Sequence, residues 1–308
     1  MKYVKLEKDS WLRWSAPSPS EAKVCMMGVP FDLAVSLNKG AAKAPERLRE
    51  LSVDMSDMGE DMIPIQQGIL YDLGDVPVTL DWEAYFHQVE DEAFQLMRSG
   101  RFCLFFGGDH SVTIPLHKAF GRYQRQRKEN ARIGVIHFDA HYDLCPKYDG
   151  HPWSHACTEA RALEGIIQGE DLTFVGIRVA EVSELETLEK NPGITTIRAR
   201  DVYINGVESI CQRLTEHYRD YDAVYVTLDI DVLDPAYAPG TGTPSTGGLT
   251  SRELLEILRH LLNTLPIQAM DIVEVAPSLD VNDITSWAAL GVVQMILAHF
   301  SKEIASEA

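Results

Sequence analysis

The sequence predicts an α/β fold: a mainly parallel sheet with helices on both faces, formed as a single domain. Three observations carry this. Short apolar runs alternate with amphipathic stretches along most of the 308 residues, the pattern of strands buried on both faces and of the helices that cover them. The length suits one large domain with a core of its own. Hydrophobic residues make up 45% of the chain and charged residues 24%, ordinary values for a globular protein rather than a disordered or fibrous one.

The opening residues, MKYVKLEKDSWLRW, are charged and hold no apolar stretch of the signal-peptide kind, so residues 1–20 read as an N-terminal extension. KVCMMGVP is the first strand, followed by the helices APERLRELS and WEAYFHQVEDEAFQLMRSG. RFCLFF and RIGVIHF are strands on either side of the helix SVTIPLHKAFGRY. The basic run RYQRQRKEN reads as the solvated end of that helix, not as a nucleic-acid patch. After the helix SHACTEARALEGI come the strands DLTFVGI and GITTI, the helix VESICQRLTEHYRD and the strand DAVYVTL. The helix TSRELLEILRHLLN, the strand IQAMDIVEV and a last apolar helix from Asp283 complete the order. Thr250 and Glu253 form a capping-box pattern at the start of one helix. No internal repeat or low-complexity tract interrupts the series.

A formal charge of −18 argues against nucleic acid or an anionic membrane as partner and leans toward a cationic small molecule. No apolar run is expected to span a membrane. The cysteines, Cys25, Cys103, Cys145, Cys157 and Cys211, are odd in number and form no C-x-x-C pair, which points to a reducing compartment, the cytoplasm. Cys145 lies close to a polar motif but lacks a paired base, so it reads as a structural thiol.

Ligands of open α/β sheets gather at the carboxyl ends of the strands. Three strands end in unusual polar residues: RFCLFF runs into GGDHS, RIGVIHF into DAHYD, and DAVYVTL into DIDVLDP; IQAMDIVEV carries Glu274 near its end. Asp139, His141 and Asp143 alternate, so an extended chain points all three to one side. With His110, Asp229 and Asp231 they make four carboxylates and two imidazoles, a set whose like charges need a cation. This oxygen-rich mixture suits a hard or borderline dication such as Mn²⁺, and six ligands fit two bridged ions better than one. Singly, His110 also reads as a helix-start residue with Ser111 as cap, and Asp234, next to Pro235, reads as a turn residue.

FGGDHSVTIP, VIHFDAHYD and TLDIDVLDPAYAPGTGTPSTGG resemble the three signatures of the ureohydrolases, the arginase and agmatinase family, and the resemblance runs from GVPFD at residue 28 to the end. It implies a three-layer α/β/α fold over residues 21–308, a binuclear manganese centre (Ni²⁺ being compatible with the same ligands), a trimer or hexamer, and hydrolysis of a guanidino compound to urea and an amine. By position, His110 is similar to a ligand of one ion and His141 to a ligand of the other. Asp139 and Asp229 match the bridging carboxylates, Asp143 completes the first shell and Asp231 the second. Glu274 matches the glutamate that holds the guanidinium, a sound pairing of a carboxylate with a planar fork of donors. Asp143 is expected to pass a proton to the leaving amine. His155 stands where the family has a proton-shuttling histidine, although Ala156 replaces the usual glycine and His151 competes for the role. Trp153 is a candidate pocket wall, or else a core anchor.

The chain lacks the asparagine that arginase-like members carry after the D-x-H-x-D triplet, and TGTPSTGGLTSREL is closer to the agmatinase branch. Agmatine is therefore the expected substrate, with guanidinobutyrate and free guanidine as alternatives. A non-catalytic metal-binding homologue is disfavoured by the full ligand set, and the one-zinc deacetylases by the ligand pattern.

Overall fold

The alternation of apolar runs resolves into eight strands, one more than those runs suggest, and all of their pairings are parallel. The computed structural model describes residues 11–307. The first half comprises β1 (Val24–Gly28), α1 (Ala44–Leu51), β2 (Leu70–Asp75), α2 (Trp82–Met97), β3 (Phe102–Phe106), α3 (Thr113–Arg127) and β4 (Ile133–Phe138). There follow α4 (Thr158–Ala162), β5 (Leu172–Ile177), α5 (Val182–Lys190), β6 (Thr195–Arg198) and α6 (Ala199–Tyr218). The chain closes with β7 (Ala223–Asp229), α7 (Ser251–Thr264), β8 (Ile267–Val273) and α8 (Ile284–Glu307).

The layers follow from alternation along each strand. On β1, Val24 and Met26 face one core with Leu48 of α1, Leu214 of α6, Leu258 of α7 and Val293 of α8. Cys25 and Met27 face the other core with Val89 of α2 and Leu116 of α3. The fold is thus a three-layer α/β/α sandwich. A fully buried side chain such as Phe138 or Phe174 contributes about 1.5–3 kcal/mol by leaving water.

Four expectations are corrected. β2 was hidden because LYDLGD buries only Leu70 and Gly74 fully, as befits an edge strand paired on one side. α5 was hidden because Glu184 is its one fully buried residue; a capping box of Glu181 and Glu184 starts it. α6 begins eight residues before the expected VESICQRLTEHYRD, and Gly206 (φ 77°) breaks it where the sequence signal faded. The absence of a span-like run fails for Ile284–Ala305, which is long and apolar enough to cross a membrane. Of its apolar window, however, 61% is buried inside the domain, as in a core helix.

Of the expected N-terminal extension, residues 1–10 lie outside the described residues. Trp11 and Trp14 are buried, and Trp11 stacks on Phe106 at 5.1 Å between ring centroids.

The strand order is β2-β1-β3-β8-β7-β4-β5-β6. The four strands that end in the unusual polar residues, β3, β8, β7 and β4, are therefore the four central ones. Their carboxyl ends open side by side, where the loops of a parallel sheet form a crevice.

Candidate metal centre

After β3 the chain turns through Gly107 and Gly108. A Cβ on Gly108 would collide with the Phe31 carbonyl, so only glycine lets the strand reach His110 this way. The turn that follows is capped by Asp109, whose carboxylate accepts the Ser111 N–H at 3.1 Å; Ser111 is therefore not the cap. Asp229 closes β7 in the same manner, accepting the Asp231 N–H at 2.8 Å. Asp143 (φ 51°) and Glu274 (φ 60°) both lie in the left-handed region, which non-glycine residues rarely adopt and which clusters at functional sites. Arg178 ties the loop after β7 in place, donating to the carbonyls of Gly176, Asp231, Val232, Leu233 and Ser245.

The six expected ligands converge. His110 Nδ1 lies 3.1 Å from Asp139 Oδ2, 3.1 Å from Asp143 Oδ2 and 3.3 Å from Asp229 Oδ2. His141 Nδ1 lies 3.3 Å from Asp139 Oδ1 and 3.1 Å from Asp231 Oδ2. Asp139 so presents one oxygen to each imidazole, the disposition of a bridging carboxylate.

The test of whether a cation fits is His110. Its Nε2 sits 2.8 Å from Thr227 Oγ1, and that hydroxyl donates to Asp271 Oδ1 at 2.6 Å. Because the Thr227 proton is committed, its oxygen accepts the His110 Nε2–H, so in the neutral ring Nδ1 is the atom that carries the lone pair. Nδ1 is buried, has no hydrogen-bond partner and faces three carboxylates. A lone pair and carboxylate oxygens aimed at one point complete each other only around a cation. The charges are unevenly compensated: burial, then Asp231 and Asp139, hold Asp229 well above the usual carboxylate range, and burial with Asp139 raises Asp231, whereas Asp139, despite its burial, is held well below that range by His110, His137 and His141.

The match to known proteins follows this geometry. Residues 22–299 match the Arginase family. The chain belongs to that family. It is 37% identical over 285 residues to an agmatinase of Neisseria meningitidis serogroup C, covering 88% of this chain and 85% of the relative. Among solved structures it is similar to the agmatine ureohydrolase of Thermoplasma volcanium (TM-score 0.86, 27% identity, 98% of this chain and 97% of the other). It is similar as well to the proclavaminate amidino hydrolase of Streptomyces clavuligerus (TM-score 0.84, 28% identity, 97% and 98%). Two groups here could each hold a metal ion, His110, His137, Asp139 and Asp143 in one and Asp139, His141 and Asp231 in the other; in an Arginase-family chain they form a binuclear metal-binding site of the kind that serves hydrolysis of a guanidino or amidino substrate.

A cleft opens above the centre, lined by Ser36, Tyr148, Glu181, Glu184, His155 and Thr243 together with His141, Asp143 and Asp229. Glu274 is buried beside it. Its Oε1 accepts the His110 N–H at 2.9 Å and the His155 Nδ1–H at 3.1 Å. His155 Nε2 in turn accepts the Ser36 N–H at 3.0 Å, so this histidine is buried and fully bonded rather than facing solvent. His151 turns away, its Nδ1 accepting the Trp153 N–H and its ring edge-on to Trp82. Trp153 stacks on Phe86 with Lys118 over its face and lies outside the cleft lining. Cys145 does line the cleft, but burial pushes its thiol up to about 11, which leaves it a poor nucleophile. Asp234 accepts the N–H groups of Ala236, Gly247 and Gly248 and is a turn residue. A wider groove between α7 and α8 is far from this chemistry, and its Arg252 and Arg259 are paired with Glu60 and Asp61.

Sequence reasoning missed His137, Glu159, Thr227, Asp271 and Arg178. For two of them a signal existed. His137 and Thr227 lie two residues before Asp139 and Asp229, on the same face of β4 and β7.

Proposed function

We propose that the protein hydrolyses agmatine to urea and putrescine, with two Mn²⁺ ions, or Ni²⁺ in their place, as cofactors. The observation that carries the substrate is the charge of the cleft. Glu181 stands exposed at its rim with Glu184 beneath, and among the described residues neither lysine nor arginine lines it. A guanidinium at Glu274 and a second cation at the rim both meet carboxylates. The carboxylate of arginine or guanidinobutyrate finds only like charge, which disfavours it.

His110, Asp139, Asp143 and Asp229 are the residues to hold one ion, and His141, Asp231 and the bridging carboxylates the other. Bound there, two divalent ions supply Lewis acidity and a water of lowered pKa. The protein's own groups do the rest. With Oε1 engaged twice, Glu274 keeps Oε2, which faces Gly242, for the N–H fork of the guanidinium. Asp143, in the cleft lining, takes up the proton that the attacking water gives up and passes it to the leaving amine. His155 holds Glu274 in place, and its proton exchanges with solvent only when Ser36 releases Nε2.

The free, buried cysteines support the cytoplasm as compartment, and family resemblance supports a homo-oligomer, trimer or hexamer, working in polyamine metabolism. Urea release from agmatine, arginine, guanidinobutyrate and guanidine, with Mn²⁺- and Ni²⁺-loaded protein, tests the reading. Agmatine should give the highest kcat/KM. Urea from arginine alone would overturn it.

A further inference from the structure

Beneath the centre lies a buried pair of side chains that the reaction as described does not use. His137 is fully buried on β4, one alternation below Asp139. Its Nε2 is 2.9 Å from Asp139 Oδ2 and its Nδ1 is 2.9 Å from Glu159 Oε1. Carboxylate oxygens only accept, so both ring nitrogens act as donors. Glu159 comes from the first turn of α4, and its backbone N–H donates to the Asp143 carbonyl at 3.0 Å. One residue therefore fastens the loop that carries one ligand and, through His137, the carboxylate that is shared between both imidazoles.

We propose that Glu159 and His137 are positioning residues for the two-ion centre: Glu159 aligns the His137 ring, and the ring fixes the carboxylate of Asp139 in its bridging orientation. Asp139 must offer Oδ2 toward His110 and Oδ1 toward His141 at once. The backbone N–H of His141 holds Oδ1 at 2.5 Å, and His137 holds Oδ2. Without the second anchor the carboxylate can rotate about its last bond, and one oxygen leaves its ion.

Glu159 is an unusual residue to keep for packing alone. It is fully buried, its Oε2 has no hydrogen-bond partner, and both nitrogens of nearby His117 lack partners as well, with His117 Nδ1 4.0 Å from Oε1. A fully buried carboxylate with so few partners depends on the one that it has. Its one well-made side-chain contact is to His137, the contact that reaches the centre. Groups that hydrogen-bond a ligating carboxylate from behind orient it, and their loss lowers metal affinity about 10–100-fold.

The inference rests on the centre holding two ions, and the test separates the two claims. Chelator-treated protein is titrated with Mn²⁺ by calorimetry, with elemental analysis for stoichiometry and circular dichroism to confirm the fold. If the parent binds no ion, the two-ion reading fails. If the parent binds two, Glu159→Leu, which removes the acceptor at similar volume, should still bind two but with affinity about 10–100-fold weaker, and its kcat should recover at saturating Mn²⁺, as a packing defect would not. Affinity within threefold of the parent would overturn the positioning role. His137→Gln is the second route, since the amide still donates to Asp139: two ions bound supports the proposal. A single ion bound makes His137 a ligand and overturns it.

Discussion

Arg49, Asp72 and Asp75 form one buried charge cluster at the β2 edge of the sheet, and His110, Asp139, His141, Asp143, Asp229 and Asp231 form another at its centre. In the first, the Arg49 guanidinium grips both oxygens of Asp72, at 2.8 and 3.0 Å, and reaches Asp75 at 2.5 Å. Trp11 Nε1–H and the Gly74 N–H supply Asp72 with two more donors. The second has four carboxylates, two imidazoles and an orphaned Nδ1 among them. Both clusters are buried and acidic. The edge cluster carries its own cation and every bond is made, so it holds the N-terminal segment, α1 and β2 together and does no chemistry. The central cluster has no arginine or lysine among its members, only imidazoles that must give up their protons when a metal ion enters. Incompleteness, more than the number of acids, separates a binding site from a structural ion pair.

Substitutions should therefore act with opposite sign on stability in the two places. Asp229→Asn keeps the oxygen that accepts the Asp231 N–H but removes a charge that burial and its neighbours disfavour. It should abolish metal binding and urea release together while leaving the metal-free protein as stable as the parent or more so. A metal-free variant clearly less stable in urea denaturation would show that the centre is compensated after all. Arg49→Met strands two buried carboxylates and should destabilise the fold by about 3–5 kcal/mol, measurable by the same denaturation. Glu274→Ala should keep both ions, by elemental analysis, yet lose about 100-fold in kcat/KM as charge-assisted hydrogen bonds to the guanidinium vanish. Near-normal turnover would remove Glu274 from its assigned role. Mn²⁺ at 100 times its Kd should stabilise the parent by about 2.7 kcal/mol. The same increment should persist in Arg49→Met and disappear in Asp229→Asn.

This contrast explains what was legible in the sequence. The candidate ligands could be read because acids and imidazoles stand on strand ends at alternate positions, where packing alone would not put them. Asp139, His141 and Asp143 announce themselves by that spacing. The edge cluster could not be read, since Arg49 sits in an ordinary amphipathic helix and Asp72 and Asp75 made β2 look like a loop. Asp271 and Glu159 were hidden for a related reason. Each looks like a common surface acid in its local run, and only the packing of β8 against β7 and β3, or of α4 against α3, reveals that it is buried. Trp153 left two readings open, pocket wall or core anchor, because an aromatic beside a motif suits either; the loop turns it onto Phe86.

His117 is a third kind of buried ionisable group, neither paired nor aimed at a cation, and it yields the smallest predicted effect. Burial holds its pKa below the usual value, against the pull of Glu159 and Asp271. In the folded protein the ring is then neutral where the unfolded chain would protonate it. A histidine depressed in this way contributes stability that is present above its unfolded pKa, about 6.5, and lost as the pH falls below it. His117→Phe keeps the edge-on contact with Tyr225 and removes the titration. The urea midpoint of the metal-free variant should therefore drop less than the parent's between pH 7 and pH 5. Parallel curves would mean that His117 is charged in the native protein and that Glu159 compensates it, which would turn the pair into a small copy of the edge cluster.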